Sequence, residues 1–173
     1  MQQLILPSEA LSSFKALIDT DIEETVKTLN HFHSFMIGNI GMLMDNTQPC
    51  EIIDNRNICK IPLTPQWFKG ILNLRGNSVP VVNLNEYYGI KSSVQKRNNQ
   101  HHILAIGKGK NLCGIEIPEL PSKVSFKESS ITNRKVNLPK NMNEQIECIY
   151  ERNGIWVKID TSIYFSHLFS SFH

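Results

Sequence analysis

Apolar residues recur at three- and four-residue steps in the first part of the chain. They follow Ser8, which is a suitable N-cap. The apolar positions are Leu11, Phe14, Ile18, Ile22, Val26 and Leu29. This spacing puts the apolar side chains on one face of a helix. The pattern therefore predicts one amphipathic helix over roughly residues 9–30.

From His33 onward the pattern changes to short β-branched and aromatic runs separated by Gly, Asn and Asp, which predicts strands joined by tight turns. The first runs are HSFMI, IGMLMD, EIIDN and NICKIP. Residues 71–89, ILNLRGNSVPVVNLNEYYG, predict a hairpin with its turn at Asn77 and Ser78 and a second strand starting at Pro80.

The second half of the chain follows a polar stretch at residues 91–100, which we interpret as an exposed linker. HHILAIG and LCGIEI then predict another hairpin, closed by a GKGKN turn. Residues 118–145 are rich in Pro and Asn and predict loops. IECIYE and IWVKID predict a last strand pair, before a C-terminal helix around residues 162–169.

Two segments resemble each other weakly at a spacing of about eighty residues, GILNLRGNSVPVVNLNEYYG and ECIYERNGIWVKIDTSIYFS. Each has a strand, a polar turn, a strand, a polar residue and an aromatic pair. The repeat predicts two similar all-β subdomains of about five strands each, from about 33–90 and 101–160, which exchange their ends. We therefore expect a helical extension over residues 1–32 and one compact domain over residues 33–173.

The composition is that of an ordinary soluble domain, with 173 residues, 40% hydrophobic and 20% charged. The net charge of +2 is too small and too evenly spread to indicate a nucleic-acid partner or an anionic membrane. The chain has neither an export signal at its start nor about 18 consecutive apolar residues. Its four cysteines are scattered without a C-x-x-C pair. We therefore expect a cytoplasmic protein with free thiols and no membrane insertion.

The sequence contains no motif that is typical of catalysis or of metal binding. The six histidines lack a third ligand at zinc-like spacing, and the GKGK turn lacks the spacing of a phosphate loop. We therefore expect no enzyme, no metal and no cofactor. A pocket formed only on folding, and a small barrel that binds nucleic acid, remain open as alternatives.

The segment from Trp67 to Ile90 carries the most specific pattern. GILNLRGNSVPVVNL, after KIPLTPQWFK, resembles the motif of the CheW family, a Pro-rich approach followed by G-x-x-N-L-R-G-x-x-x-P-V-x-D-L. The resemblance spans roughly residues 33–169 and implies two packed five-stranded, SH3-like barrels, with the N-terminal helix and a short C-terminal helix added. The chain departs from the family pattern at Asn83, where the motif has aspartate, and at Glu116 within GIEIPEL.

The resemblance implies a non-catalytic adaptor that couples the cytoplasmic tips of methyl-accepting chemoreceptors to a CheA-type histidine kinase. In the family a glutamate in an E-I pair meets the motif arginine, which implies a partly buried, bidentate ion pair here between Glu51 and Arg75, 24 residues apart. The residues expected to bind a partner are Glu51, Ile52, Leu72, Asn73, Arg75, Gly76, Val79 and Val81. The N-terminal extension is similar to that of PilI-like adaptors, which favours a role in type IV pili and twitching motility over the alternative, a flagellar chemotaxis CheW.

Overall fold

The computed structural model describes residues 29–54, 57–90 and 102–170. The predicted linker at residues 91–100 lies outside the described residues, and so does the predicted N-terminal helix up to residue 28. Leu29 and Asn30, at the predicted end of that helix, belong instead to the first strand. This strand begins before residue 33, where we expected the compact domain to start.

The described residues form eleven strands, three α-helices and two 3-10 turns. The strands are β1 (Leu29–Ile37), β2 (Ile40–Asp45), β3 (Cys50–Asp54), β4 (Ile58–Cys59), β5 (Phe68–Leu74), β6 (Asn77–Val82), β7 (His102–Ile106), β8 (Cys113–Ile117), β9 (Ser122–Lys127), β10 (Ile146–Glu151) and β11 (Ile155–Ile159). The helices are α1 (Leu84–Tyr88), α2 (Lys140–Asn143) and α3 (Thr161–Ser170), and the 3-10 turns are Gly109–Asn111 and Glu128–Ser130. Among these described helices, none is long and apolar enough to cross a membrane.

The strands form two sheets, which confirms the mainly β prediction. One sheet has five strands in the order β10-β11-β2-β1-β9, and the other has six in the order β3-β7-β8-β6-β5-β4. The five-stranded sheet therefore combines the first two strands with the last three, while the six-stranded sheet is one continuous stretch of chain. The strands before and after residues 91–100 belong to the same sheet. The chain passes from one sheet to the other between β2 and β3, and passes back between β8 and β9.

The largest apolar cluster joins the two sheets and α3. β2 shows how the chain supplies it: Met42 and Met44 belong to this cluster, whereas Leu43, on the opposite face, belongs to a second cluster within the five-stranded sheet. Alternate residues of a strand point to opposite faces, so the unbroken apolar run IGMLM is that of a strand buried on both sides. Full burial of each such side chain contributes about 1.5–3 kcal/mol to folding.

The hairpin at residues 71–89 differs from the prediction in two ways. Its turn consists of Arg75 and Gly76 rather than Asn77 and Ser78, since β5 ends at Leu74 and β6 begins at Asn77. The second strand stops at Val82, and the residues after Asn83 form α1 instead of continuing the strand.

The structure also contains β9 within residues 118–145, which we predicted to be loops. Only Phe126 of this strand is fully buried, so the strand carries little apolar pattern. It forms because β1 offers an edge, and the two strands pair antiparallel from Leu29–Lys127 to Ser34–Ser122. The C-terminal helix and the turn between β7 and β8 are confirmed as predicted.

Candidate functional site

The β5–β6 hairpin ends in two consecutive residues with left-handed backbone, Arg75 at φ 53° and Gly76 at φ 83°. Two positive φ angles in a two-residue loop are the pattern of the type I′ turn, whose twist matches that of the strands it joins. The turn is closed by Asn73, whose Oδ1 accepts a hydrogen bond from the backbone N–H of Gly76 at 3.0 Å. The motif residues N-L-R-G therefore build a tight turn that presents the Arg75 side chain.

The Arg75 side chain reaches Glu51 on β3, the residue that was predicted to form an ion pair with it. Its Nη2 donates to Oε1 of Glu51 at 3.0 Å, which confirms the ion pair expected from the family motif. The pair is not bidentate as expected, because one hydrogen bond joins these two side chains. It is partly buried as expected only on the Glu51 side, where 35% of the side chain is exposed, whereas 77% of the Arg75 side chain is exposed. An exposed pair of this kind stabilises a fold by about 0–1 kcal/mol, so its main effect is on position. It links β3 to a hairpin that is not next to it in the sheet.

The other predicted binding residues divide by burial. Ile52, Asn73 and Gly76 are exposed and can meet a partner. In contrast, Leu72, Val79 and Val81 are buried in an apolar cluster of the six-stranded sheet. The expectation that these three contact a partner is therefore wrong, because a partner would reach them only by opening the sheet. They hold the hairpin that carries Arg75.

Two cavities adjoin beside the Glu51–Arg75 pair. One has a volume of about 240 Å³ and is lined by both members of the pair, and the second has a volume of about 210 Å³ and reaches Phe165 on α3. Both cavities are lined by Pro49, Gly107 and Lys108. We call the two together the junction groove, because it runs from the six-stranded sheet to α3.

Two turns that line the junction groove are in contact. The backbone N–H of Gly107, after β7, donates to the carbonyl oxygen of Pro49, before β3, at 3.0 Å. Gly107 has φ 98°, and a Cβ there would overlap the carbonyl oxygen of Asn111, so only glycine fits. The two turns are far apart in the sequence, and the sequence pattern of GKGKN predicts only a turn. For this reason the sequence did not identify Lys108 as a groove residue.

The groove contains a thiol, that of Cys50. Partial burial raises the pKa of the Cys50 thiol above its ordinary value, so this cysteine stays protonated at neutral pH. Among the described residues, no group of three or more His, Cys, Asp or Glu side chains lies close enough together to hold a metal ion. The fold and the groove are those of a two-sheet β module with an open groove beside an exposed ion pair.

Comparison with known proteins identifies the module. A family model described as CheW-like domain matches residues 31–167, and the chain belongs to this family. The chain is 26% identical over 121 residues to the chemotaxis protein CheW of Helicobacter pylori, an overlap of 70% of this chain and 72% of the relative. The crystal structure of the scaffolding protein TtCheW from Thermoanaerobacter tengcongensis has the same fold, with a TM-score of 0.61 and 21% identity over 76% of this chain and 84% of that one.

Membership of this family establishes the general role of the chain. CheW-like proteins are non-catalytic scaffolds in chemotaxis signalling, so the chain is a scaffold or adaptor and not an enzyme. The family as a whole couples receptors to the kinase CheA.

Proposed function

We propose that this chain couples methyl-accepting chemoreceptors to a CheA-type histidine kinase, with the receptor tip bound in the junction groove. The observation that supports this proposal is the Glu51–Arg75 ion pair, because both residues match the family motif and both line the groove. The receptor tips and the kinase work on the inner side of the membrane, so we propose a cytoplasmic location.

In this proposal the exposed and the buried motif residues have different tasks. Glu51 and Arg75 contact the receptor tip inside the groove, and their ion pair fixes its orientation. The exposed Ile52, Asn73 and Gly76 line neither cavity and contact the partner outside the groove, with Ile52 supplying apolar area. The buried motif residues keep the hairpin rigid, which lowers the cost of ordering it on binding. The interface makes and breaks no covalent bonds, so the signal passes as a change of position. Transient signalling interfaces are modest in area, and we expect micromolar affinity.

Two outputs fit such a pathway. The residues that precede the CheW-like domain favour a system that controls type IV pili and twitching motility, because PilI-like adaptors have an extension of this kind. The similarity to the CheW of Helicobacter pylori, a chemotaxis protein, favours flagellar chemotaxis. Deleting the gene in its host and scoring twitching and swimming separately distinguishes the two.

The coupling proposal is tested by reconstitution with the host's own CheA and the cytoplasmic fragments of its receptors. The variant is Arg75→Ala, and the matched control is Arg134→Ala. Arg134 is 79% exposed and forms one ion pair, with Glu151 at 3.6 Å, so it resembles Arg75 in exposure and pairing but lies outside the groove. Circular dichroism confirms equal folding.

We expect Arg75→Ala to weaken receptor binding about tenfold or more and to reduce receptor control of the kinase, while Arg134→Ala behaves like the wild-type chain. The proposal fails if the wild-type chain binds neither partner. Salt-dependent binding of single-stranded DNA or RNA in the same assay would instead support the small-barrel nucleic-acid alternative.

A further inference from the structure

Lys108 occupies the centre of the junction groove, since it lines both of the cavities that form it. Its backbone is held in place: it precedes the 3-10 turn Gly109–Asn111 in an extended conformation, and its carbonyl oxygen accepts from the N–H of Asn111 at 3.1 Å. The neighbouring Gly107 is held to Pro49 by the hydrogen bond between their backbones. The side chain itself is exposed. A fixed backbone therefore carries an exposed ammonium group at the groove.

The charges of the groove do not cancel. The charged side chains that line it in the described part of the chain are Glu51, Arg75 and Lys108. Glu51 is already engaged by Arg75. Lys108 has no carboxylate within ion-pair distance among the residues that the structure describes. Within the described residues, the groove thus presents one positive charge that no carboxylate compensates.

The rest of the groove wall is partly apolar. Leu74 and Leu112 line the cavity beside the ion pair, and Phe165 lines the cavity beside α3. A protein segment that covers this wall removes water from Lys108 as well, and an ammonium group that loses water without gaining a partner opposes binding. The segment that fits best has apolar side chains on both sides of one carboxylate.

From this charge complementarity we propose that Lys108 selects the receptor by pairing with an aspartate or glutamate of the receptor tip, which lies across the junction groove between the hairpin and α3. This inference rests on the proposed function, because it takes the receptor as the occupant of the groove. It makes Lys108 a specificity-determining residue. The Glu51–Arg75 pair, which matches the family motif, fixes the orientation of the bound receptor.

The test measures the affinity of the purified full chain for the cytoplasmic fragments of the host's receptors, and separately for the host's CheA, by fluorescence anisotropy. The variants are Lys108→Glu and Lys108→Gln, and the control is Lys123→Glu on β9, which makes the same change of charge at an exposed residue that lines neither cavity. Each is measured at about 50 mM and about 300 mM salt, where screening differs strongly. Circular dichroism checks the folding of all four proteins.

We expect Lys108→Glu to weaken binding about tenfold at low salt and Lys108→Gln by about threefold, with Lys123→Glu within about twofold of the wild-type chain. Lys108→Gln should also lose part of the salt dependence. An acid-to-lysine substitution at one position of the receptor tip should restore binding to Lys108→Glu and to no other variant.

Three contrary outcomes distinguish a failure of the Lys108 inference from a failure of the receptor-coupling proposal. If the wild-type chain binds and Arg75→Ala weakens binding, but Lys108→Glu matches Lys123→Glu, the role of Lys108 is overturned while receptor coupling stands. If Lys108→Glu affects only the affinity for CheA, the occupant is the kinase and the inference is overturned as well. If the folded wild-type chain binds no receptor fragment, both ideas fail.

Discussion

Asn83 and Glu116 are hydrogen-bonded across the six-stranded sheet, with Nδ2 of Asn83 donating to Oε2 of Glu116 at 2.7 Å. Oδ1 of the same Asn83 accepts from the backbone N–H of Glu86 at 3.1 Å and so caps α1. Both residues depart from the CheW motif, which has aspartate at position 83. An aspartate would cap the helix equally well but would turn a carboxylate towards Glu116. The two departures therefore compensate for each other.

This relationship predicts the effect of restoring the motif. Asn83→Asp keeps the cap but replaces a donor with a like charge, so we expect it to lower the free energy of unfolding by about 1–3 kcal/mol in urea titrations. Adding Glu116→Gln supplies a new donor and should recover most of the loss. Equal stability of Asn83→Asp and the wild-type chain would show that the pair contributes nothing.

A second prediction concerns Tyr88 on α1 and Tyr164 on α3, whose hydroxyls connect the two helices. The Tyr88 hydroxyl donates to that of Tyr164 at 2.7 Å. Burial raises the pKa of both side chains above the ordinary tyrosine value. A folded-state pKa above the unfolded one contributes stability that is fully present below the unfolded pKa of about 10, and this stability is lost as pH rises through the folded pKa.

We therefore expect the free energy of unfolding to fall progressively above about pH 10. Tyr88→Phe should cost about 1 kcal/mol at pH 7, since it removes a buried donor, and should show a shallower alkaline decline. Urea titrations between about pH 7 and pH 11 compare the two curves. Parallel curves would mean that these hydroxyls do not titrate with unfolding.

A third prediction concerns Gly41, which lies opposite Trp156 in the parallel pairing of β2 with β11. The indole ring packs directly over Gly41, and a Cβ there would overlap it. Gly41→Ala should destabilise the chain by about 1–3 kcal/mol through overpacking, although alanine suits a strand better than glycine. Combining it with Trp156→Leu should cost less than the sum of the two single changes. Additive losses would contradict the contact.

The sequence predicts those features of the structure that a local motif or pattern encodes. The two-sheet fold and the Glu51–Arg75 pair were predictable, because a motif with fixed spacing carries both. α1 was missed because its aromatic pair at Tyr87 and Tyr88 favours a strand, although Asn83 followed by Glu86 is typical of a helix start.

Other features depend on contacts that no local pattern encodes. β9 exists because β1 has an open edge, and its own residues show little apolar alternation. Val79 and Val81 are alternate residues of β6, and this apolar alternation is the same whether the side chains face a partner or the interior. Only the packing of the assembled sheet shows that they are buried. Lys108 becomes a groove residue only once Pro49 and α3 lie beside it.

The exchange of strands between the two sheets also has a consequence for how the chain folds. The six-stranded sheet is encoded without interruption, so its strands can pair as soon as they leave the ribosome. β2 can pair with β1 at once, but its other edge must wait for β11, its parallel neighbour near the end of the chain, and closing such a long loop is slow. We expect the six-stranded sheet to form before β10 and β11 join β2. The last strands then complete a sheet whose first strands were made long before.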